Sequence, residues 1–538
     1  MPPEGAGFLR SNLAALSSSN PALAARIESC APNPAIAFRD ARNGSRVPVL
    51  RARAGELPFH SLVDPGREAE RLVRSLGDCG YLVCLGLGGG FVAAAFLRQP
   101  QAAEVLIVEK DASTLKALMG NLSLSPVLSD YRVHLTAGTE EIRHIVRATY
   151  LPVIAGGLVS LPVRSWCASE PGFFDMAAEE LRGAAEEARA DYSVQAHFGK
   201  RWFANLISNL PAAQSAPQDR IQARCAHVTA AGPSLENSIA ELARRGDESI
   251  IVATDTSVPA LLKNGVQPEV VVSMDCQLYS YHHFLGGLPE ETTLFFDLAS
   301  PPFLVRRLGA RARFFTSAHP FSRFISARWR GFPPVDTTGG NVTHAAVSLA
   351  RVLGAADVRL HGADFCYPHA KPYARGTYLY DYFHGRQLRN APAESSLCTF
   401  VLGSAGLTAE RSDGEVRYRT PMLRDYDSRL RKLVETPRGT PEFEDTGDAA
   451  ARCDWKEFLG DYSEALRALP RPSSPLAGYF NRLRPEQKAV WATLLPIAAR
   501  ILRETQGLES RDTCLVQSLR WALGRVERAV EDPGITHE

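Results

Sequence analysis

Between Cys225 and Asp275 three short apolar runs alternate with two helical patterns. The runs are Ala226–Ala230, Ile250–Ala253 and Val270–Ser273, rich in β-branched residues and of strand length. The helical patterns are Leu235–Arg244 and Val258–Lys263. A β-α-β-α-β order predicts a parallel sheet covered by helices, because parallel neighbours need long crossovers. Each run empties into small or polar residues: Ala231-Gly232-Pro233-Ser234, Thr254-Asp255-Thr256 and Met274-Asp275-Cys276. Ligands of open α/β sheets sit beyond the carboxyl ends of the strands, so the functional site is expected on this edge.

The remaining chain extends the same architecture. Residues 1–57 predict a small α+β cap, with a strand pair joined at Arg42-Asn43-Gly44. Asp64-Pro65 suits a helix start. Tyr81–Leu85 is a strand running into Gly86-Leu87-Gly88-Gly89-Gly90, then a helix, then the strand Val105–Val108 ending at Glu109. The spacing is Gly-x-Gly-x-Gly, short of the full dinucleotide fingerprint. It fits either a dinucleotide or S-adenosylmethionine site with Glu109 on a ribose, or a Rossmann-like module whose glycines only allow close strand–helix packing. Residues 174–210 read as helical, with an aromatic stripe of core character, and the Pro- and Ala-rich 211–222 as a linker. Domains are expected at 1–57, 58–210, 211–435 and 436–538, the last helical. This predicts an α/β protein: a central Rossmann-like parallel-sheet domain, preceded by a second Rossmann-like domain and followed by a helical C-terminal region.

Further strands, Thr293–Phe296, Arg313–Thr316 and Val358–Leu360, carry the sheet forward. Thr338, Gly339, Gly340 and Asn341 open a helix at Val342, where free N–H groups cradle anions. Gly362, Asp364 and Phe365 follow the last strand, and Cys366 to about Gly414 reads as a polar, aromatic loop able to cover the site. In the first turn, Gly232 allows close backbone approach, Pro233 suits a helix start, and Ser234 either caps the helix or binds a phosphate. Asp255 and Asp275 suit Mg²⁺, ribose hydroxyls or helix caps. A base working near neutral pH is sought among the histidines; His369 lies in the polar loop and is preferred, with His384 in reserve.

These segments resemble a known family. AAGPSLENSI, VATDTSVPALLKNGVQPEVVVSMD and GGNVTHAAVSLARVLGAADVRLHGADF are similar to the central domain of the motility-associated (Maf) flagellin glycosyltransferases. The same domain occurs in archaeal hydroxymethylpterin diphosphokinases, and its first and last segments resemble bacterial sialyltransferases. FHSLVDPGREAERL, LGLGGGF and VRYRTPMLRDYDSRLRKLVE extend the resemblance over roughly residues 50–435. It implies a sialyltransferase-like, GT-A-like central domain. It implies inverting transfer of a nonulosonic acid from a CMP-sugar to Ser or Thr of flagellin, with no metal and no further cofactor. Gly232, Pro233, Ser234, Thr254 or Asp255, and Asp275 would meet the nucleotide, with Thr338 and Gly339 at the cytidine end and Gly362 and Asp364 beneath. Gly340, Asn341 and Phe365 join them as binding candidates, although Gly340-Asn341 stands where Gly-Ser is common in the family and Glu269 where an Asp is usual. Asp275, His369 and His384 would serve the chemistry.

Composition bounds the alternatives. The formal net charge of +1 provides no field to recruit nucleic acid or anionic membrane. The ten cysteines include no Cys-x-x-Cys pair, which indicates neither a cysteine zinc site nor a thioredoxin-like motif and favours a reducing compartment. No apolar stretch approaches the ~20 residues of a membrane span. The expectation is a soluble, cytoplasmic protein; oligomeric state is not fixed. The competing functions are a pterin diphosphokinase using ATP and Mg²⁺, a non-catalytic nucleotide-binding assembly protein, and a methyltransferase using Gly86–Gly90.

Overall fold

The computed structural model describes residues 4–52, 55–217, 221–246, 248–412, 414–435 and 451–531. The chain forms two compact units. One comprises Met1–Gly199 with Pro470–Lys488 and Leu495–Leu519; the other comprises Lys200–Leu469 with Ala489–Leu494 and Arg520–Glu538. The helix Pro171–Ser215 carries the chain from the first to the second, and runs on through Pro211 where composition suggests a linker. The C-terminal helices Trp455–Arg467, Leu476–Asn481, Pro485–Glu504 and Arg511–Glu531 contribute to both units. Residues 436–450 of the expected C-terminal domain lie outside the described residues.

The first unit opens with an antiparallel meander, β1 (Ile36–Asp40), β2 (Arg46–Ala52) and β3 (Gly55–Pro58). β3 escapes a reading of the sequence because its pattern is short and exposed. The predicted cap at Asp64 forms: its carboxylate accepts the Arg67 N–H at 2.9 Å. A parallel sheet follows, made of β4 (Cys79–Leu85), β5 (Glu104–Glu109), β6 (Val133–Ala137) and β7 (Gly157–Pro162), in the order β6-β5-β4-β7. This is a Rossmann-like half sheet, with β4 and β5 buried along nearly their whole length.

Its glycine loop is filled by the protein itself. The Leu87 N–H donates to Glu109 Oε2 at 3.0 Å, and the Trp166 indole N–H to Glu109 Oε1 at 2.7 Å. The Gly89 N–H donates to His60 Nε2 at 2.9 Å, and a Cβ on Gly88 would stand 3.1 Å from His60 Cε1. Glu109 is fully buried, and burial raises its pKa. The carboxylate expected on a ribose therefore holds the loop and Trp166 instead, which favours the packing role for these glycines.

The second unit is built on a six-stranded parallel sheet: β8 (Cys225–Thr229), β9 (Ser249–Thr254), β10 (Val270–Ser273), β11 (Thr293–Asp297), β12 (Ala312–Phe315) and β13 (Asp357–His361). Their order is β12-β11-β10-β9-β8-β13, every pair parallel. Chain order reverses direction between β8 and β13, which makes that pair the topological switch point. Val228, Val252, Val270 and Val272 are fully buried and pack with Ala346, Val347 and Leu349 of the helix Val342–Val352. Sheets covered on both faces require such continuous apolar strands. The α/β class and the parallel central sheet expected from the sequence are both observed.

Candidate functional site

The ends of β8 and β13 are locked together. The Ala230 N–H donates to the His361 carbonyl and the Gly232 N–H to the Gly362 carbonyl, both at 2.8 Å. Gly362 has φ +71°, and a Cβ there would lie 2.8 Å from Leu235 Cβ. A Cβ on Gly232 would overlap Asp364 Oδ2 and the Gly362 carbonyl oxygen. Asp364 Oδ2 accepts the Ser234 N–H at 2.9 Å, so this carboxylate sits at the head of the helix Leu235–Ala243. Ser234 makes no side-chain cap, which leaves its hydroxyl for other work. Gly232, Pro233, Ser234, Gly362 and Asp364 are thus brought together as expected, with Asp364 in a structural bond.

The neighbouring strand ends continue the edge. Thr229 Oγ1 and Ser257 Oγ are 3.0 Å apart, which ties β8 to the turn after β9. Thr254 is buried and its hydroxyl has no partner. Asp255 is buried, accepting from Thr256 N–H (2.7 Å) and Oγ1 (3.1 Å) on Oδ1 and from Ser273 Oγ (2.7 Å) on Oδ2. Three of its roughly four acceptor positions are thus taken by the protein. Asp275, exposed as a residue, accepts the Gln277 N–H at 2.9 Å; desolvation and then the Asp255 charge raise its pKa.

Sequence reasoning passed over His283, which feels the charge of these carboxylates from the 3-10 segment Leu278–Phe284 after β10. It is 8 % exposed, and its Nδ1 has no partner. Burial lowers its pKa, while Asp255 and Asp275 pull the other way, so it rests neutral beside groups that favour its cation. Its ring and that of Tyr378 meet edge to face, centroids 4.7 Å apart at 78°. The Tyr378 hydroxyl donates to Tyr279 Oη at 2.9 Å; burial, then this bond, keeps Tyr378 protonated. The available signal was the pair His282-His283 nine and ten residues beyond β10, inside an otherwise aromatic stretch.

The Thr338–Asn341 turn forms the other wall. Thr338 donates through N–H and Oγ1 to Asp336 Oδ1, and Asn341 caps Val342–Val352 by accepting the Thr343 and His344 N–H groups. Gly339 is pressed against His344, where a Cβ would lie 2.7 Å from His344 Cβ. His344 is buried with both ring nitrogens unpartnered, and burial lowers its pKa to about 4. Phe365 bridges the walls, its ring 6.3 Å from both His344 and Tyr426; Tyr426 in turn borders Gly340. The Thr338, Thr343 and His344 N–H groups of this helix start are taken by Asp336 and Asn341, while the buried Asn341 Nδ2 has no partner.

The segment after β13 is not an open loop. It holds β14 (Tyr367–Pro368), the helices Tyr378–His384 and Ala393–Leu402, β15 (Thr408–Ser412) and β16 (Glu415–Arg419), the strands forming a small sheet β14-β16-β15. It straps down over the first turn. Ala374 N–H donates to the Ala231 carbonyl at 2.8 Å, and Lys371 Nζ to Glu236 Oε1 at 2.6 Å. His369 is exposed in the turn after β14, its Nε2 3.9 Å from Glu415 Oε1. His384 is exposed at the end of its helix, 6.3 Å from Tyr380. Neither is brought to Asp255 or Asp275 by a described contact. Phe365, His369 and Ala370 all have left-handed backbone, at φ 44°, 52° and 58°. Non-glycine residues avoid this region at about 1–2 kcal/mol each, and such strain clusters at working sites.

Two asparagines also escaped a reading of the sequence. In Pro171–Ser215, Asn205 donates to the Cys276 and Ala299 carbonyls, and Asn209 to the Leu298 and Ser300 carbonyls, at 2.8–3.1 Å. They fix the turns after β10 and β11 at the same edge. Their only signal was i, i+4 spacing within an apolar helix.

With this geometry in hand, likeness to known proteins can be placed on it. The 6-hydroxymethylpterin diphosphokinase MptE-like family matches residues 200–370, which holds the sheet edge from β8 to His369. Two curated relatives come from Treponema pallidum (strain Nichols), each described as an uncharacterized protein. One is 29% identical over 231 residues, 42% of this chain and 80% of its own length. The other is 33% identical over 168 residues, 30% of this chain and 79% of its own length. A solved structure, that of the MAf glycosyltransferase from Magnetospirillum magneticum AMB-1, is similar at TM-score 0.57 and 14% identity, over 99% of this chain and 98% of that one. That likeness concerns the fold, and it spans both units. The chain belongs to one family with the second of the Treponema pallidum proteins, carries an MptE-like match over residues 200–370, and has the fold of the MAf glycosyltransferase.

Proposed function

We propose that the protein is a glycosyltransferase that moves a sugar from a nucleotide-activated donor to a hydroxyl acceptor at the carboxyl edge of the β8–β13 sheet. The observation that carries this reading is the set of buried polar side chains without partners at that edge: Thr254 Oγ1, His283 Nδ1 and both ring nitrogens of His344. Each costs about 1–3 kcal/mol unpaired, so a ligand that supplies partners is favoured. The full-length likeness to a MAf glycosyltransferase supports the same class. The donor we infer is a CMP-nonulosonic acid, and the acceptor a Ser or Thr hydroxyl of a protein such as flagellin.

In this mechanism Ser234 Oγ and Thr254 Oγ1 bind the nucleotide, and the Tyr279 hydroxyl, oriented by accepting from Tyr378, donates to the departing phosphate. Neutral His283 accepts the acceptor hydroxyl proton on Nδ1. The acceptor oxygen bonds to the anomeric carbon as the bond from that carbon to the phosphate oxygen breaks, and CMP leaves with the electron pair. Asp255 and Asp275 stabilise the resulting imidazolium. No metal takes part in a step. His283 replaces His369 and His384 as the base because it alone of the three is buried beside both carboxylates.

The test is intact mass of flagellin co-expressed with wild type or His283→Gln, together with calorimetric CMP binding in the absence of Mg²⁺. Transfer should fall by about 10²-fold or more in the variant while CMP affinity holds. Because the base must be unprotonated and its pKa lies below the ordinary histidine value, wild-type transfer should persist to mildly acidic pH and fail only below that. Unchanged modification by His283→Gln would remove the base assignment.

A second reading, a pterin diphosphokinase, draws on the MptE-like match over residues 200–370. It needs Mg²⁺ at Asp255 and Asp275, where Asp255 already accepts on both oxygens. Tight ATP–Mg²⁺ binding with no CMP binding would favour it over the transferase.

A further inference from the structure

Beneath the glycine turns, on one face of β8 and β13, alternate side chains converge. The register sets Arg359 opposite His227 and His361 opposite Thr229, so the two histidines meet on the diagonal. His227 Nδ1 and His361 Nε2 are 2.9 Å apart, and the residues are 3 % and 6 % exposed. Glu241, exposed on the helix Leu235–Ala243, reaches the same spot; the three ligand atoms all lie within 4.8 Å of one another. Burial lowers the pKa of both histidines, which keeps them in the neutral form that ligates metals.

We propose that His227, His361 and Glu241 form a binding site for a divalent transition metal of the zinc class. The donor set, two imidazoles and one carboxylate, suits zinc or cobalt rather than magnesium or calcium, which prefer all-oxygen shells. Bonds of about 2.0–2.1 Å in a tetrahedral shell put ligand atoms about 3.3 Å apart. The imidazole nitrogens need part by only about 0.4 Å from the 2.9 Å observed, and the exposed Glu241 side chain closes the third distance by rotation. The fourth position is left for water. Nearby cations are already countered: Arg359 pairs with Asp357 at 3.0 Å, and Arg245 with Glu269. Asp357 also accepts from Cys225, which occupies the same face two residues before His227.

Such a metal would be structural. β13 is the outer strand of its sheet, bonded to β8 alone, and His361 immediately precedes Gly362. A metal joining β8, β13 and the helix that starts at Ser234 would brace the switch-point crevice from below, whatever reaction occurs above it. The site was not legible as a motif because its ligands come from three elements, with His361 separated from His227 by 134 residues.

The experiment uses the full chain after treatment with a chelator. Co²⁺ is titrated and followed by visible absorption, and Zn²⁺ is then added in thermal unfolding scans. Wild type should bind one Co²⁺ per chain with the intense bands of tetrahedral nitrogen–oxygen ligation, and Zn²⁺ should raise its Tm. Glu241→Gln, an exposed and therefore fold-neutral change, should weaken Co²⁺ more than about tenfold and abolish the Tm rise. His361→Asn, checked for folding by circular dichroism, should do the same. Absence of Co²⁺ bands in wild type, or binding that Glu241→Gln leaves unchanged, would overturn the site.

Discussion

Gly232→Ala tests whether the switch-point turn is as tight as its geometry. The added Cβ would overlap Asp364 Oδ2 and the Gly362 carbonyl oxygen, and would stand 2.9 Å from Asp364 Cγ. The carbonyl cannot easily retreat, because Gly362 is held by the Gly232 N–H and by its own left-handed backbone. Asp364 can swing away only by releasing the Ser234 N–H. Overpacking costs about 1–3 kcal/mol and losing a hydrogen bond to a charged acceptor about 1.5–3 kcal/mol. The expected loss is about 3–5 kcal/mol, which at roughly 2 °C per kcal/mol lowers the Tm of a unit this size by about 5–10 °C. CMP binding should weaken in parallel, since Ser234 moves with the turn. In an Asp364→Ala background the same substitution keeps only the carbonyl overlap, so the two changes should be less than additive by about 1–3 kcal/mol. Calorimetric scans of the four proteins read the cycle. A Gly232→Ala variant within 1 °C of wild type, or costs that add within about 0.5 kcal/mol, would refute the close packing of these turns.

Three further outcomes follow from named contacts. His369→Gly should leave transfer intact and stabilise the chain by about 0.5–1 kcal/mol, because it relieves a left-handed backbone; loss of activity with retained stability would return His369 to the chemistry. Asn209→Ala should cost about 2–4 kcal/mol in thermal unfolding, as the Leu298 and Ser300 carbonyls lose their donor in a buried place. Asp297 is buried, and burial raises its pKa to about 6. The folded state therefore holds this proton more tightly than the unfolded chain. The resulting stability is full below about pH 4 and lost as pH rises through about 6, a swing of about 3 kcal/mol. Asp297→Asn should remove that swing and be the more stable protein at pH 7, as unfolding midpoints measured from pH 4 to 8 would reveal.

The sheet was legible because buried parallel strands leave a strong local trace. Val270–Ser273 carries its β-branched run and its terminal small residues in one contiguous stretch, and the strand forms over those residues. The turns at Gly232 and Gly362 were legible for the same reason, since a glycine after such a run marks close backbone approach. The segment after Cys366 was not. Its helices are short, its strands at most half-buried, and its polar composition is that of a loop; distant bonds such as those from Ala374 to Ala231, across more than 140 residues, and from Lys371 to Glu236 give it a fixed course. His283 was hidden by a different cause. A histidine in an aromatic stretch has no local mark of burial, and one of the two carboxylates whose charge it feels, Asp255, comes from another strand end. His369 looked apt because it followed the glycine–aspartate turn, yet it lies exposed in the turn after β14, with no described contact to Asp255 or Asp275.

The two glycine loops of this chain show why a motif needs its surroundings. Gly86–Gly90 and Gly232 both follow buried parallel strands and both precede helices. In the first, Glu109 and His60 take the loop N–H groups, and Trp166 closes over the carboxylate. Among the described residues, no buried side-chain nitrogen or oxygen of the first unit lacks a partner. In the second unit Asp364 likewise takes the Ser234 N–H, but Thr254, His283, His319 and His344 around the strand ends remain unsatisfied. A buried polar group without a partner is costly to retain, and several along one sheet edge are retained more readily where a bound molecule completes them. The proposed ligand chemistry therefore falls on the β8–β13 sheet, while the glycines of the first unit serve packing.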